Sequence, residues 1–559
     1  MELLYLLPLL LIALIIGAIY WYKKRQAQKL ALLIESFGCP KEDTSCPPEI
    51  LEQIAKYYEM AYPDQDEQSG VDQTTWEDLD MDSVFMALNH TLTSPGEEVL
   101  YAQLHHTTCG DQQLEELEKW MALFTQDSSL RGKAMLALQK LSKNPFHHSV
   151  DFLYHPSEKR LAFPALYVIL ALLPIVFAVA GIFQPYFFLL LIPSFLVNGL
   201  LHFRAGMKMQ QQIGAVRYLS AITLCAKRLG RIGHPDLEPI CQEIKQLLRP
   251  FQKITRLSRF FFATTGTDMD ILLEYLKILF LTNEIVYLRL VGVIRKHSLL
   301  LRQMYELVGR LDMALAIASY RKSQKVWTIP TFGAEHRLVA TALVHPLISQ
   351  PVPNDLIWER NILLTGSNAS GKSTFLKAVA VNAILAQTVH TATASGFLLP
   401  RCRVMTSMAI RDSIHRGESY FIAEIRSLKR LVNQGNRQGF ALCFIDEILR
   451  GTNTVERIAA SSYLLQWFCG KDMLCMAATH DVELTRLLEA EYANYHFSEE
   501  IQAGEIRFPY LLQPGPSQSK NAIGLLRLMG YDDQITRGAL HMAEHFEHTG
   551  VWELSPRHS

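Results

Sequence analysis

The sequence predicts an α/β fold over the C-terminal part of the chain, preceded by an all-α part with inserted transmembrane helices. Three observations carry this. A short apolar strand at 362–364 turns through a glycine-containing loop into a helical pattern beginning at Phe375. From about Val326 onward, short β-branched runs alternate with helices and Gly/Pro turns, the texture of a mostly parallel sheet. Before that point apolar residues recur at three- and four-residue steps, as in packed helices. The exceptions are three predominantly apolar runs without Asp, Glu, Lys or Arg, at 3–22, 161–183 and 186–203.

The loop reads Gly366-Ser-Asn-Ala-Ser-Gly371-Lys372-Ser373, the spacing G-x-x-x-x-G-K-[ST] between strand and helix. Glycines let successive backbone N–H groups turn inward on phosphates, and the helix behind adds the positive end of its dipole. Gly366, Ser367, Asn368, Ala369, Ser370, Gly371, Lys372, Ser373 and Thr374 are therefore the candidate ATP-binding residues. Lys372 would reach the β/γ oxygens and the Ser373 hydroxyl would complete a Mg²⁺ shell. Downstream, the apolar run 440–445 reads as a buried strand ending in Asp446-Glu447. Asp446 can hold Mg²⁺ through water, and Glu447 can orient or deprotonate the attacking water. A further apolar run, 475–478, ends in Thr479-His480-Asp481, which puts His480 where it could touch the γ-phosphate or the lytic water. Between the first two motifs, Gly417-Glu-Ser419 opens an amphipathic helix. Ser419 and that helix N-terminus are expected to act in trans, on the γ-phosphate held by a second subunit.

A chain of 559 residues is too long for one core, so several domains are expected. A formal charge of −1 leaves no bulk electrostatic pull toward nucleic acid or anionic lipid, which argues against a dedicated DNA-coating protein. Nine cysteines without a C-x-x-C pair read as reduced core residues of a cytoplasmic protein, not a disulfide frame or a zinc site.

The run 3–22 is about twenty residues without a charge, enough to cross a bilayer, and Lys23, Lys24 and Arg25 follow it at once. A cleaved signal peptide would want positive charge before the apolar run, and here Glu2 precedes it. It reads as a retained anchor with its N-terminus outside. The runs 161–183 and 186–203, joined by Gln184-Pro185 and flanked by Lys159, Arg160, Arg204 and Lys208, read as a hairpin with both ends cytoplasmic. Three spans of this kind predict a multi-pass protein of the inner or plasma membrane with its nucleotide motifs in the cytoplasm. A fourth apolar stretch, 271–294, carries Glu274, Lys277, Glu284 and Arg289, and so reads as a packed helix. Other helices are expected at 207–231, 236–257 and 268–320, the last started by Asp268 or Asp270. The polar stretch 62–75 reads as a linker whose patch Asp64, Asp66, Glu67 is a solvated loop and not a metal site. The expected organisation is an anchor over 1–30, a juxtamembrane helix and acidic linker over 31–77, helical parts over 78–160 and 204–324 flanking the hairpin at 161–203, and an α/β domain over 325–559.

Together these residues resemble the MutS family of DNA mismatch-repair ATPases, a branch of the ABC-type ATPases. Of the family's loop Gly-Pro-Asn-Met-Gly-Gly-Lys-Ser-Thr this chain has Gly366, Asn368, Gly371, Lys372, Ser373 and Thr374, with Ser367, Ala369 and Ser370 at the other positions. Asp446-Glu-Ile-Leu-Arg-Gly-Thr-Asn-Thr454, Ala478-Thr-His-Asp-Val-Glu-Leu484 and Gly417-Glu-Ser-Tyr-Phe421 are similar to three further family motifs. Ser519-Lys520 with Gly524 is similar to another, and His345-Pro346 and Val352-Pro-Asn-Asp355 stand where the family lines the adenine. Upstream, 88–104 with Thr93, Gly96 and Leu100, and 311–318 with Asp312, look like the two ends of the family's lever.

The resemblance implies an ABC-type ATPase domain behind an all-α lever, a homodimer through the ATPase domains with ATP and Mg²⁺ as cofactors, and hydrolysis coupled to lever movement. It also implies a role in DNA mismatch repair, with duplex or branched DNA as a partner. Direct mismatch reading is not expected. No recognition domain with a Phe-x-Glu wedge fits the roughly 70 residues before the lever, and the hairpin stands where the family carries its DNA clamp. An ABC-like motor acting on a membrane partner without DNA is the alternative.

Overall fold

The computed structural model describes residues 17, 21, 24–25, 27–41, 46–63, 70–107, 109–143, 149–155, 164–252, 275–367, 369–408, 420–502, 505–517 and 522–554. The expected anchor at 3–22 (Gly17 and Trp21 apart), the patch Asp64, Asp66, Glu67, and the expected helix start at Asp268 or Asp270 lie outside the described residues. The chain divides into two compact units. The first holds Met1–Gln65, Phe85–Gln103 and Gly110–Gln324; the second holds Asp66–Val84, Leu104–Cys109 and Lys325–Ser559.

The described part of the first unit is helical. Its centre is the helix Ser298–Ser323, most of whose C-terminal half is buried. Arg321 forks onto Glu118 of the helix Asp111–Gln126 with two bonds of 2.7 and 2.8 Å. The two stretches that look like the ends of a lever meet here. Asp312, wholly buried, accepts from Thr93 N (2.8 Å), Thr93 Oγ1 (2.6 Å) and Leu92 N (3.1 Å). Thr93 Oγ1 in turn accepts from Gly96 N at 3.1 Å, so the start of the helix Ser94–His105 is capped by a chain of bonds rooted in the other helix. Burial pushes Asp312 up to about 6 against these donors. The two helices approach closely where Gly309 lies. A Cβ there would stand 2.5 Å from Pro95 O.

Two described helical stretches, Ala165–Phe183 and Pro185–Arg204, are long and apolar enough to cross a membrane, with mean hydropathies of 2.7 and 1.8. Many of their large side chains face outward; Ile169, Ile182, Phe183, Leu189, Leu196 and Phe203 are all exposed. The second stretch begins as a 3-10 turn, Pro185–Leu190, and continues as one helix over Leu191–Leu229. The helix expected at 207–231 is therefore not separate. Arg204 and Lys208 mark a change of polarity, but no proline interrupts the helix there and it runs on.

Two more expected bounds are corrected. Of the helix expected at 236–257, Glu238–Leu248 is α-helical with a 3-10 turn at each end, and 253–257 lie outside the described residues. The long helix at 268–320 is broken at Leu281, where φ is +45°, and again at His297, which leaves helical residues at 275–279, then Thr282–Lys296 and Ser298–Ser323. Thr282–Lys296 packs on Leu191–Leu229. Glu284, 2 % exposed, meets His202 at 2.7 Å, and Asn198 one turn earlier donates to Leu279 O (2.6 Å) and Leu170 O (3.2 Å). A buried carboxylate needs such a partner, which explains why this stretch packs against the apolar helices.

In the second unit the strands are β1 (Thr331–Phe332), β2 (Leu338–Leu343), β3 (Asn354–Trp358), β4 (Ile362–Thr365), β5 (Gly396–Leu399), β6 (Arg403–Ser407), β7 (Ala441–Asp446), β8 (Met473–Ala478), β9 (Ala493–Phe497), β10 (Glu500–Gln502), β11 (Glu505–Arg507) and β12 (Leu512–Pro514). Six form a sheet in the order β12-β9-β4-β8-β7-β6, parallel except for β12. β4, β7 and β8 are almost continuously buried, as strands covered on both faces must be. A second sheet, β1-β5-β2-β3, has β2 antiparallel to both neighbours, so the α/β part is mixed and not one parallel sheet.

The edge strand β6 is covered by a segment far upstream. The expected linker gives way at Gln73–Asp78 to a helix capped by Asp72. Thr406 of β6 donates from N to Thr75 Oγ1 (3.2 Å) and from Oγ1 to Asp78 (2.6 Å), while Met408 N donates to Asp78 (2.9 Å). Arg430 pairs with Asp72. Unpaired groups of an edge strand are thus satisfied by side chains, which blunts the edge.

Candidate functional site

The register of the central strands brings three motifs to one edge of the sheet. Leu364 of β4 lies beside Ala478 of β8, and Ala478 beside Asp446 of β7. The loop after β4, the pair Asp446-Glu447 and Thr479-His480 therefore leave the carboxyl ends of adjacent strands, where open α/β sheets bind ligands.

The loop closes onto the helix Lys372–Val389. Two glycines take backbone conformations that other residues resist, Gly366 at φ +139° and Gly371 at φ +101°. At Gly366 a Cβ would also stand 2.6 Å from Phe497 O. The Lys372 ammonium donates to Gly366 O (2.7 Å) and Ser367 O (2.8 Å). Burial lowers its pKa, against the pull of Asp446, Glu447 and Glu499. Ser370 Oγ donates to Ser367 O at 2.7 Å. Ala369 is exposed at the tip, and Thr374 borders a cavity described below. Asn368 and Ser419 lie outside the described residues, as do Ser519 and Lys520.

Ser373 donates its hydroxyl to Asp446, whose pKa burial nonetheless raises. The other oxygen, Asp446 Oδ1, is buried without a hydrogen-bond partner among the described residues. A serine hydroxyl and a carboxylate with one unpaired buried oxygen are donor chemistry that suits Mg²⁺. Glu447, with φ +58°, bonds from its own N to Ala478 O at 3.0 Å, so its side chain is aimed by the backbone. Its carboxylate meets His480 Nε2 at 3.1 Å and Arg450 at 2.9 Å. The His480 bond, more than the charge of Arg450, holds the acid below its ordinary pKa. His480 is itself steadied by the next residue. Asp481 forks onto Arg457 at 2.6 and 2.8 Å.

Beside Gly371 and Thr374 opens a cavity of about 320 Å³ lined by His345, Ile348, Val352, Phe375, Phe497 and Tyr510 among others. His345 is pushed down to about 4 by burial, so a neutral ring faces this space at neutral pH. Asn354 holds the far wall, donating to Tyr510 O (2.9 Å) and accepting from Leu512 N (2.7 Å). Sequence reading reached His345 and 352–355 but missed Phe375, Phe497, Tyr510, Arg450 and Glu499. Tyr510 carries no motif, and its φ of +55° is a backbone conformation that its neighbours in the chain do not announce.

Residues 362–547 match the family model of MutS domain V. The chain is also similar to proteins called DNA mismatch repair protein MutS. That of Thermus thermophilus is 26 % identical over 306 residues, 54 % of this chain and 37 % of the relative. That of Pseudothermotoga lettingae is 34 % identical over 200 residues, 34 % of this chain and 24 % of the relative. That of Lawsonia intracellularis is 29 % identical over 266 residues, 44 % of this chain and 29 % of the relative. The chain thus spans between a quarter and somewhat over a third of the length of these curated relatives. The C-terminal region is MutS-like, and the alignment to the Thermus protein is longer than the domain V match.

Proposed function

We propose that this chain is a membrane-attached, MutS-like ATPase that binds ATP with Mg²⁺ between the loop 366–374 and Asp446-Glu447 and hydrolyses it as a homodimer. The observation that carries this reading is the shared register of Leu364, Ala478 and Asp446, which gathers loop, acid pair and His480 along one sheet edge. Lys372 leaves its two loop carbonyls to meet the β/γ oxygens, and Ser373 with Asp446 holds the metal. Mg²⁺, when bound, neutralises phosphate charge that would otherwise face the acid pair. Glu447, kept ionised by His480, orients the water and takes its proton, while His480 reads the γ-phosphate. The cavity beside Phe497 and Tyr510 takes the base. Ser419 of a second copy completes the site, and closure of the two heads moves the helices that end at Ser323.

Two readings of the output follow from different observations. The names of the relatives support a role in DNA repair, with duplex or branched DNA gripped by the helical part. The two apolar helices with outward-facing side chains support the other, a motor whose output goes to a membrane partner. Membrane attachment, with the C-terminal unit in the cytoplasm, rests on those helices and on the basic residues flanking them. The test uses the full chain in nanodiscs. ATP turnover that rises with branched or duplex DNA, and a gel shift that weakens with salt, supports the first reading. Turnover indifferent to DNA supports the second. Protein that retains no nucleotide refutes both, and a C-terminal reporter found outside the cell refutes the topology.

A further inference from the structure

Glu499 belongs to none of the motifs, yet it reaches the loop. It stands two residues beyond the end of β9, and its carboxylate Oε2 accepts from Ser367 Oγ at 2.7 Å. Ser367 is the second residue of the loop, where the family's loop has a proline with no hydroxyl to give. The anchoring is firm on both sides. The main chain at Phe497 presses against Gly366, leaving no room for a Cβ, and Ser367 O is tied to both Lys372 Nζ (2.8 Å) and Ser370 Oγ (2.7 Å). Three carboxylates, those of Asp446, Glu447 and Glu499, bear on the single ammonium of Lys372. Asp446 and Glu447 have roles with metal and water. Glu499 has none there, and its carboxylate is held on the loop that the ATP reading assigns to the phosphates, close enough to act on Lys372.

Resting on the ATP reading above, we infer that Glu499 is an electrostatic gate on the loop. Fixed by Ser367, its negative charge opposes anionic phosphate groups and makes nucleotide affinity depend on a divalent cation that screens them. Glu499→Gln is the informative change, because the amide oxygen still accepts from Ser367 while the charge is gone.

The experiment measures Kd for ATP and for uncharged adenosine by calorimetry on the full chain in nanodiscs, with Mg²⁺ and with EDTA. Glu499→Gln is expected to tighten ATP binding about tenfold in EDTA, the scale for one unit charge a few ångström away at a half-exposed site. With Mg²⁺ the gain shrinks, and adenosine affinity stays put. Ser367→Ala, which frees the carboxylate to swing away, shifts Kd the same way by less. An unchanged ATP Kd in EDTA for Glu499→Gln overturns the gate. So does an equal shift for adenosine, since the residue would then act on the fold and not on phosphate charge. ATP binding by Glu499→Gln where the unaltered protein shows none supports the gate in its strongest form. Failure of both proteins to bind ATP overturns the ATP reading and the gate with it.

Discussion

Replacing Glu447 with glutamine should separate binding from chemistry. The variant keeps the side-chain length and one oxygen to accept from His480 (3.1 Å) or Arg450 (2.9 Å), and its aim is set by a backbone bond to Ala478 O that the substitution does not touch. Only the charge and the basicity are lost. Both ion pairs are partly solvated, with His480 41 % and Arg450 58 % exposed, so their loss costs at most about 1 kcal/mol of stability and the melting temperature should barely move. Loss of a positioned general base lowers turnover by roughly 10²–10⁴-fold. Steady-state ATPase assays and equilibrium ATP binding, run on the same nanodisc preparation, should show kcat collapsing while Kd stays within about threefold, less than 1 kcal/mol. The pH profile adds a second readout. The folded pKa of Glu447 lies below its ordinary 4.5, so the base stays ionised as pH falls and the acid limb assigned to it lies below that value. Turnover within tenfold of the unaltered enzyme would refute the assignment of Glu447 as the base, and an acid limb near pH 6 that vanishes in the variant would refute its lowered pKa.

Two other outcomes are expected. Burial pushes Asp78 up to about 6 from 3.8. A group raised on folding contributes stability that is complete below its unfolded pKa and lost as pH rises through the folded one, here between about pH 4 and 6. Asp78→Asn should remove a pH-dependent difference on the order of 2–3 kcal/mol, seen as a smaller drop in apparent Tm between pH 4.5 and 7; an unchanged drop would show that Asp78 is not titrating in that range. Gly309→Ala sets a Cβ 2.5 Å from Pro95 O, a backbone atom that cannot swing away, so thermal unfolding should reveal a loss of about 1–3 kcal/mol, and a neutral result would mean that the two helices part at this point without cost.

Where chemistry is local, the sequence is a sufficient guide. The loop 366–374 needs its glycines, lysine and serine in consecutive order, and the apolar run before Asp446 shows a strand buried on both faces. Charge changes at Arg204 and Lys208 located the apolar helix but not its end, because membrane polarity and helix propensity are separate signals. The break at Leu281 was equally hidden, since nothing in its neighbours forbids a helix there. Glu284 in an apolar stretch pointed to a packed helix, but only the fold supplies His202, 82 positions away, as its partner.

By itself, then, the chain's order of residues determined the strand–loop–helix unit, the acid pair, the apolar helices and the change from helical to α/β texture near 325. The tertiary structure alone decided which strand tips lie side by side, that Asp72, Thr75 and Asp78 guard the edge of β6, that Tyr510 walls a cavity beside Gly371, and that Glu499 holds Ser367. Short-range steric and hydrophobic preferences are written in neighbouring residues. A contact between positions more than a hundred apart, such as Ser367 and Glu499 at 2.7 Å, follows from how whole elements stack, which no local pattern encodes.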